Sequence, residues 1–161
     1  MGYRSDIRII TSKKGYEILK EFVEKYLKEN KLDVKDYNLL ESLEVKKEGK
    51  EQIYFGWNWR KWYEGDYPEV DAIMDGINYL GENEYSYRYM RIGESYEDIE
   101  EQSYDGEKDN EICMEYPNMI REFDDDYTKN LLEDKRIDNI EENKEEIDIW
   151  VLMMKYYQVQ V

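Results

Sequence analysis

The chain has no histidine, one cysteine and two prolines in 161 residues. Without histidine there is no Ser-His-Asp or Cys-His catalytic engine, no common His-ligated zinc or iron site and no imidazole switch near neutral pH. Cys113 alone closes no internal disulfide and builds no cysteine-rich metal cluster. It follows Glu111-Ile112 with no local base, so it reads as an ordinary thiol rather than a nucleophile. No uncharged run approaches the ~20 residues that span a bilayer, and the opening Met1-Gly2-Tyr3-Arg4-Ser5-Asp6 has no apolar signal core. Phosphate-cradling Gly-x-x-x-x-Gly-Lys-Ser/Thr and Gly-x-Gly-x-x-Gly stretches are missing too, so nothing points to a nucleotide-dependent enzyme. The expectation is an intracellular protein without cofactor, metal or catalytic residues.

What is abundant is acid. Forty Asp and Glu face 23 Lys and Arg, a net charge of −17, and 39% of the residues are charged. A chain so charged is on the edge of disorder, but 15% aromatic residues, 17 of them tyrosine, supply large apolar bodies with polar ends. The expectation is a folded protein with a tyrosine-rich core and a heavily solvated surface. The charge is unevenly placed: residues 1–93 carry 18 acids and 16 bases, whereas residues 94–161 carry 22 and 7. A nearly neutral scaffold (1–93) is therefore joined to an acidic extension (94–161) with a net charge of −15.

The scaffold alternates strand and helix signals. Asp6–Ile10 reads as a strand, Thr11 and Ser12 as helix caps, and Ile18, Leu19, Phe22, Val23, Tyr26 and Leu27 as the apolar face of a helix. Leu39, Leu43 and Val45 suggest a second strand, 47–50 a hairpin turn, and Ile53, Phe55, Trp57 and Trp59 one buried face of a third. Asp66 and Glu69 form a capping box around Pro68. Val70, Ile73, Met74 and Ile77 then make a second helical stripe that stops at Gly81. Tyr85–Ile92 is the last strand, with tyrosines 85, 87 and 89 on one face. The order predicts an α+β fold of ferredoxin-like βαββαβ type, an antiparallel sheet with both helices on one face.

The extension is expected to be of mixed or helical structure. Residues 96–104 read as a strand or a charged loop, 119–123 as a short helix and 128–143 as a charged helix. The apolar run 149–154 must pack on the scaffold or on a second copy, which makes Trp150–Tyr157 a possible homodimer seam.

Acids in a fixed array can stand in for phosphates. Proteins that bind nucleic acid present basic grooves with aromatic platforms, and carboxylates entering such a groove gain the same counterion release. The candidate carboxylates are Glu94, Glu97, Asp98, Glu100 and Glu101, then Asp105, Glu107, Asp109 and Glu111, then Asp124, Asp125 and Asp126. The 105–111 stretch lacks the spacing of a calcium loop. In the tract Trp57–Glu64, Trp57 and Trp59 read as core, while Trp62 and Tyr63 are candidate aromatic anchors at a contact. The implied partner is a protein with a basic nucleic-acid-binding groove, because the chain's charge repels nucleic acid and anionic membranes directly. Two other readings stay open: a small-ligand, carbohydrate-binding or hydrolytic domain using the Trp/Tyr/Arg tract with Glu64 and Asp66, and an assembly protein.

Three stretches carry a resemblance. The opening Met1-Gly2-Tyr3-Arg4-Ser5-Asp6, the run Lys61-Trp62-Tyr63-Glu64-x-Asp66-Tyr67-Pro68-Glu69-Val70, and Tyr87-Arg88-Tyr89-Met90-Arg91-Ile92-Gly93-Glu94-x-Tyr96-Glu97-Asp98-Ile99-Glu100 resemble small proteins carried by bacteriophages and other mobile elements. The likeness covers residues 1–101 and implies a fold rather than a chemistry. Size, acidity and the lack of a reaction centre are also similar in style to anti-CRISPR and related anti-defence inhibitors. The resemblance implies a phage-type inhibitor of a Cas effector or another defence nuclease, acting in the cytoplasm of the bacterial host.

Overall fold

The computed structural model describes residues 2–133. It is an α+β structure built on one antiparallel sheet of five strands: β1 (Ser5–Ser12), β2 (Val45–Glu48), β3 (Gln52–Arg60), β4 (Tyr87–Gly93) and β5 (Ile99–Tyr104), in the order β2-β3-β1-β4-β5. Two long helices, α1 (Lys13–Glu29) and α2 (Pro68–Glu82), lie against one face of it.

Alternation along the strands explains the two faces. Ile7 and Ile9 of β1, Ile53, Phe55 and Trp57 of β3, and Tyr87 and Tyr89 of β4 point to the helices, where Leu19, Val23 and Leu27 of α1 and Ile73, Ile77 and Leu80 of α2 meet them. Full burial of each such side chain contributes about 1.5–3 kcal/mol. Ser12 caps α1 by accepting a 3.0 Å hydrogen bond from the Gly15 amide. Gly76 lets α1 and α2 approach, since a side chain there would run into Leu19 and Phe22.

Several expectations are corrected. Leu39–Ser42 forms a 3-10 turn, not a strand, because the Asn38 side chain accepts from the Leu40 amide at 3.0 Å and starts it. Asp66 does not cap α2, which begins at Pro68. Tyr67 occupies the cap position without a side-chain bond, and Asp71 reaches back to the Gly65 amide instead. The helix also runs one residue past Gly81, and Glu84 (φ 64°) takes the left-handed position that turns the chain. Tyr85 falls outside β4.

Trp59 is not in the core. Between the pairs Ser5↔Arg60 and Ile7↔Trp57, β3 has one residue more than β1, a β-bulge. The extra residue breaks the two-residue period: Trp59 takes φ 53° and swings out to 62% exposure.

In the acidic part, the stretch 96–104 divides into a turn at 96–98 and the β5 edge strand from Ile99, hydrogen-bonded to β4 in register from Tyr87↔Tyr104 to Ile92↔Ile99. The helix expected over 119–123 is instead a turn closed by a Met119↔Phe123 bridge, with Arg121 at φ 68°. Of the helix expected over 128–143, Thr128–Leu131 is helical. Residues 134–143, the apolar run and the Trp150–Tyr157 seam lie outside the described residues. Among the described residues no helix is long and apolar enough to cross a membrane.

Candidate functional site

The sheet face away from the helices is basic, and the acidic segment covers it. Arg8 on β1, 2% exposed, uses all five of its N–H donors. Nη1 donates to the carbonyls of Ile7 and Trp57, Nη2 to Asn58 Oδ1 (2.7 Å) and Asp125 Oδ2 (2.9 Å), and Nε to Asp125 Oδ1 (3.0 Å). The Tyr54 hydroxyl donates to the same carboxylate at 2.6 Å, and Lys47 donates to the Asp125 carbonyl. Phe123 lies against the Arg8 guanidinium at 4.7 Å. Arg88 on β4 repeats the device, donating to Asp105 Oδ1 (2.6 Å) and to the Met114 carbonyl (3.2 Å), with Tyr116 beside it. Between these polar anchors Met114 and Leu131 pack on Ile10 and Tyr54, while Phe123 packs on Met90 and Ile92.

Burial opposes ionisation of Asp125, but the hydrogen bonds from Arg8 and Tyr54 outweigh it and hold the carboxyl below its ordinary range. The same site pushes the Tyr54 hydroxyl up, chiefly by burial.

The twelve candidate carboxylates therefore divide into two groups. One group has partners inside the molecule. Asp98 accepts both terminal nitrogens of Arg91 (2.9 and 2.8 Å) and the Tyr3 hydroxyl (2.6 Å), and these bonds hold its carboxyl below the usual range. Glu100 takes Arg91 Nε at 3.0 Å, and Glu94 takes the Arg4 amide at 2.7 Å. Asp109 is buried and accepts both the amide and the hydroxyl of Ser86, Asp124 accepts from Asn118 at 3.3 Å, and Asp105 and Asp125 hold Arg88 and Arg8. The other group, Glu97, Glu101, Glu107, Glu111 and Asp126, is exposed, with no side-chain partner among the described residues. Four of these five stand on β5 and its flanking turns.

The two aromatic candidates separate as well. Trp62 is buried, its ring 5.4 Å from that of Trp57. Tyr63 is half-buried, donates to the Tyr3 carbonyl at 3.0 Å and stacks on Tyr67. The exposed ring of the tract is Trp59. Beside Trp62 lies a hollow of about 200 Å³ lined by Arg4, Arg60, Lys61, Tyr67 and Glu69, whereas Glu64 and Asp66 do not line it. A larger groove of about 370 Å³ runs between α1 and α2, with Phe22, Tyr26 and Tyr79 in its wall. Among the described residues no cluster of three or more acidic or cysteine side chains converges as a metal site.

Composition and period located the acids but not their partners. The missed signal was Arg8, Arg88 and Arg91: an arginine inside a strand that is otherwise apolar needs a carboxylate from elsewhere in the chain. No family model matches the chain, and neither a curated protein nor a solved structure matches it.

Proposed function

We propose that the protein is a non-enzymatic, phage-type inhibitor that binds a nucleic-acid-handling protein, a Cas effector or another defence nuclease, through an acidic surface that replaces nucleic acid. The scaffold reads as a ferredoxin-like βαββαβ unit with one added edge strand, a reading supported by the strand order β2-β3-β1-β4 and by both long helices packing on one face. The protein acts in the host cytoplasm, and its partner offers a Lys/Arg-lined groove.

The observation that carries this reading is the placement of Glu97, Glu101, Glu107 and Glu111. They stand unpaired along a hydrogen-bonded edge strand and its turns, not on a loose tail. Glu101 stands on β5 itself, Glu97 in the turn that leads into it, and Glu107 and Glu111 in the turns beyond its end. Arg91 fixes the turn into β5 by holding Asp98, and Ser86 fixes the exit by holding Asp109. Rigid charges lose little entropy on binding, which favours mimicry over nonspecific acidity.

The test is capture of partners from a bacterial lysate at low salt, with identification by mass spectrometry, followed by a nucleic-acid displacement assay on the captured protein. A basic nuclease that releases its nucleic acid when the protein binds is expected. Capture of no such protein would overturn the reading. So would displacement that is equally strong with Glu97, Glu101, Glu107 and Glu111 all changed to Gln.

A further inference from the structure

We propose that the hollow lined by Arg4, Arg60, Lys61, Trp62, Tyr67 and Glu69 is a binding site for a phosphate group, free or as a phosphomonoester. The site is separate from the acidic edge and does not depend on the inhibitor reading.

The bulge in β3 creates it. In regular alternation Arg60 would share a face with Asn58, away from the helices; the one extra residue turns it to the helix side, beside Leu39 and Val70. Bulges commonly re-aim a side chain next to a working site, and here a tryptophan takes φ 53° to produce this one.

In a chain with net charge −17, three cations facing one hollow need a reason. Arg4 donates from Nη1 to the Trp59 carbonyl at 3.0 Å, so it is held in place without being neutralised. The carboxylate contact of Arg60 is with Glu44 at 3.8 Å, and Arg4 and Lys61 have none among the described residues. The Nε of Arg60 is buried and donates to nothing, so an oxyanion would satisfy it once the side chain turns it toward the hollow. Glu69 is the one acid among the lining residues, and with Glu44 beside Arg60 the three cations keep a net charge of about +1, the sign a phosphate requires. Glu69 and Val70 also belong to the first turn of α2, whose positive end is offset by the Glu69 and Asp71 carboxylates of the same turn. The volume, about 200 Å³, suits a phosphate with a small substituent rather than a whole nucleotide.

The test is titration of the full chain with sodium phosphate at constant ionic strength, with chloride as the control. Tryptophan fluorescence and the Nε–H resonance of Arg60 report binding. The expected result is a saturable change with phosphate that chloride does not produce. Lys61→Gln, at an exposed residue whose loss leaves the fold intact, and Arg60→Gln should each weaken it roughly tenfold, and Glu69→Gln should strengthen it. Phenyl phosphate distinguishes the sources: tighter binding than inorganic phosphate identifies an esterified ligand, and equal binding a free oxyanion. No saturable response, or one unchanged in Lys61→Gln and Arg60→Gln, would overturn the proposal.

Discussion

Trp59 holds a left-handed backbone conformation that disfavours a bulky L-residue by about 1–2 kcal/mol, yet its ring is largely in solvent and recovers little by packing. Glycine has no such penalty, although it is more disordered in the unfolded chain. Trp59→Gly should therefore stabilise the protein by about 0.5–1 kcal/mol, read as a higher urea midpoint; a lower midpoint would mean the ring packs against something. Asp125 presents the opposite case. Its loss leaves the Arg8 guanidinium, 3% exposed, without a counter-charge, so Asp125→Ala should cost about 2–3 kcal/mol at pH 7. Because the folded carboxyl lies below its unfolded value, the stabilisation is fully present above about pH 4 and is lost as pH falls through the folded value. Urea midpoints of wild type and variant should differ at pH 7 and at pH 5, and the gap should narrow as pH falls through the acid range.

For the elements, legibility followed periodicity. The helix stripes of Leu19, Val23 and Leu27 and of Val70, Ile73 and Ile77, and the strand faces of Ile53-Phe55-Trp57 and Tyr87-Tyr89, were readable because burial on one side imposes the period directly on the sequence. What failed to show were the features set by a single backbone event or a distant partner. Nothing in Trp57-Asn58-Trp59-Arg60 announces an extra residue, because the bulge is defined by pairing with β1. The apolar positions 114, 123 and 131 have no common period, because their segment is tied down by Arg8 and Arg88 rather than by its own repeat. For the same reason the candidate acids looked alike in sequence and divide only when their partners are known.

The edge strand depends on one such partner. Asp98 joins Arg91 and Tyr3 at the turn into β5, and its backbone carbonyl accepts the Gly93 amide at 2.8 Å. Asp98→Ala keeps the backbone bond but removes the charged ones, worth about 1–2 kcal/mol at this partly exposed position. Amide exchange over Ile99–Tyr104 should speed up about tenfold while Ile7–Ile10 in the central strand stays protected. Equal acceleration in both would mean that β5 opens only with global unfolding.

Across the whole molecule, a net charge of −17 is unevenly felt. Some acids neutralise arginines in the sheet and hold the chain together, and others stand free along one edge, where self-repulsion is relieved only by counterions or a basic partner. That division separates charges that support the fold from charges available for recognition. The most direct measurement is the affinity for the captured partner across sodium chloride concentrations, for wild type and for the variant with Glu97, Glu101, Glu107 and Glu111 changed to Gln. Wild-type affinity should fall steeply with salt, and the variant should show a shallower slope, at least tenfold weaker binding and an unchanged urea midpoint. Equal affinity and slope for the two proteins, or a variant that is strongly destabilised, would contradict this division of charges.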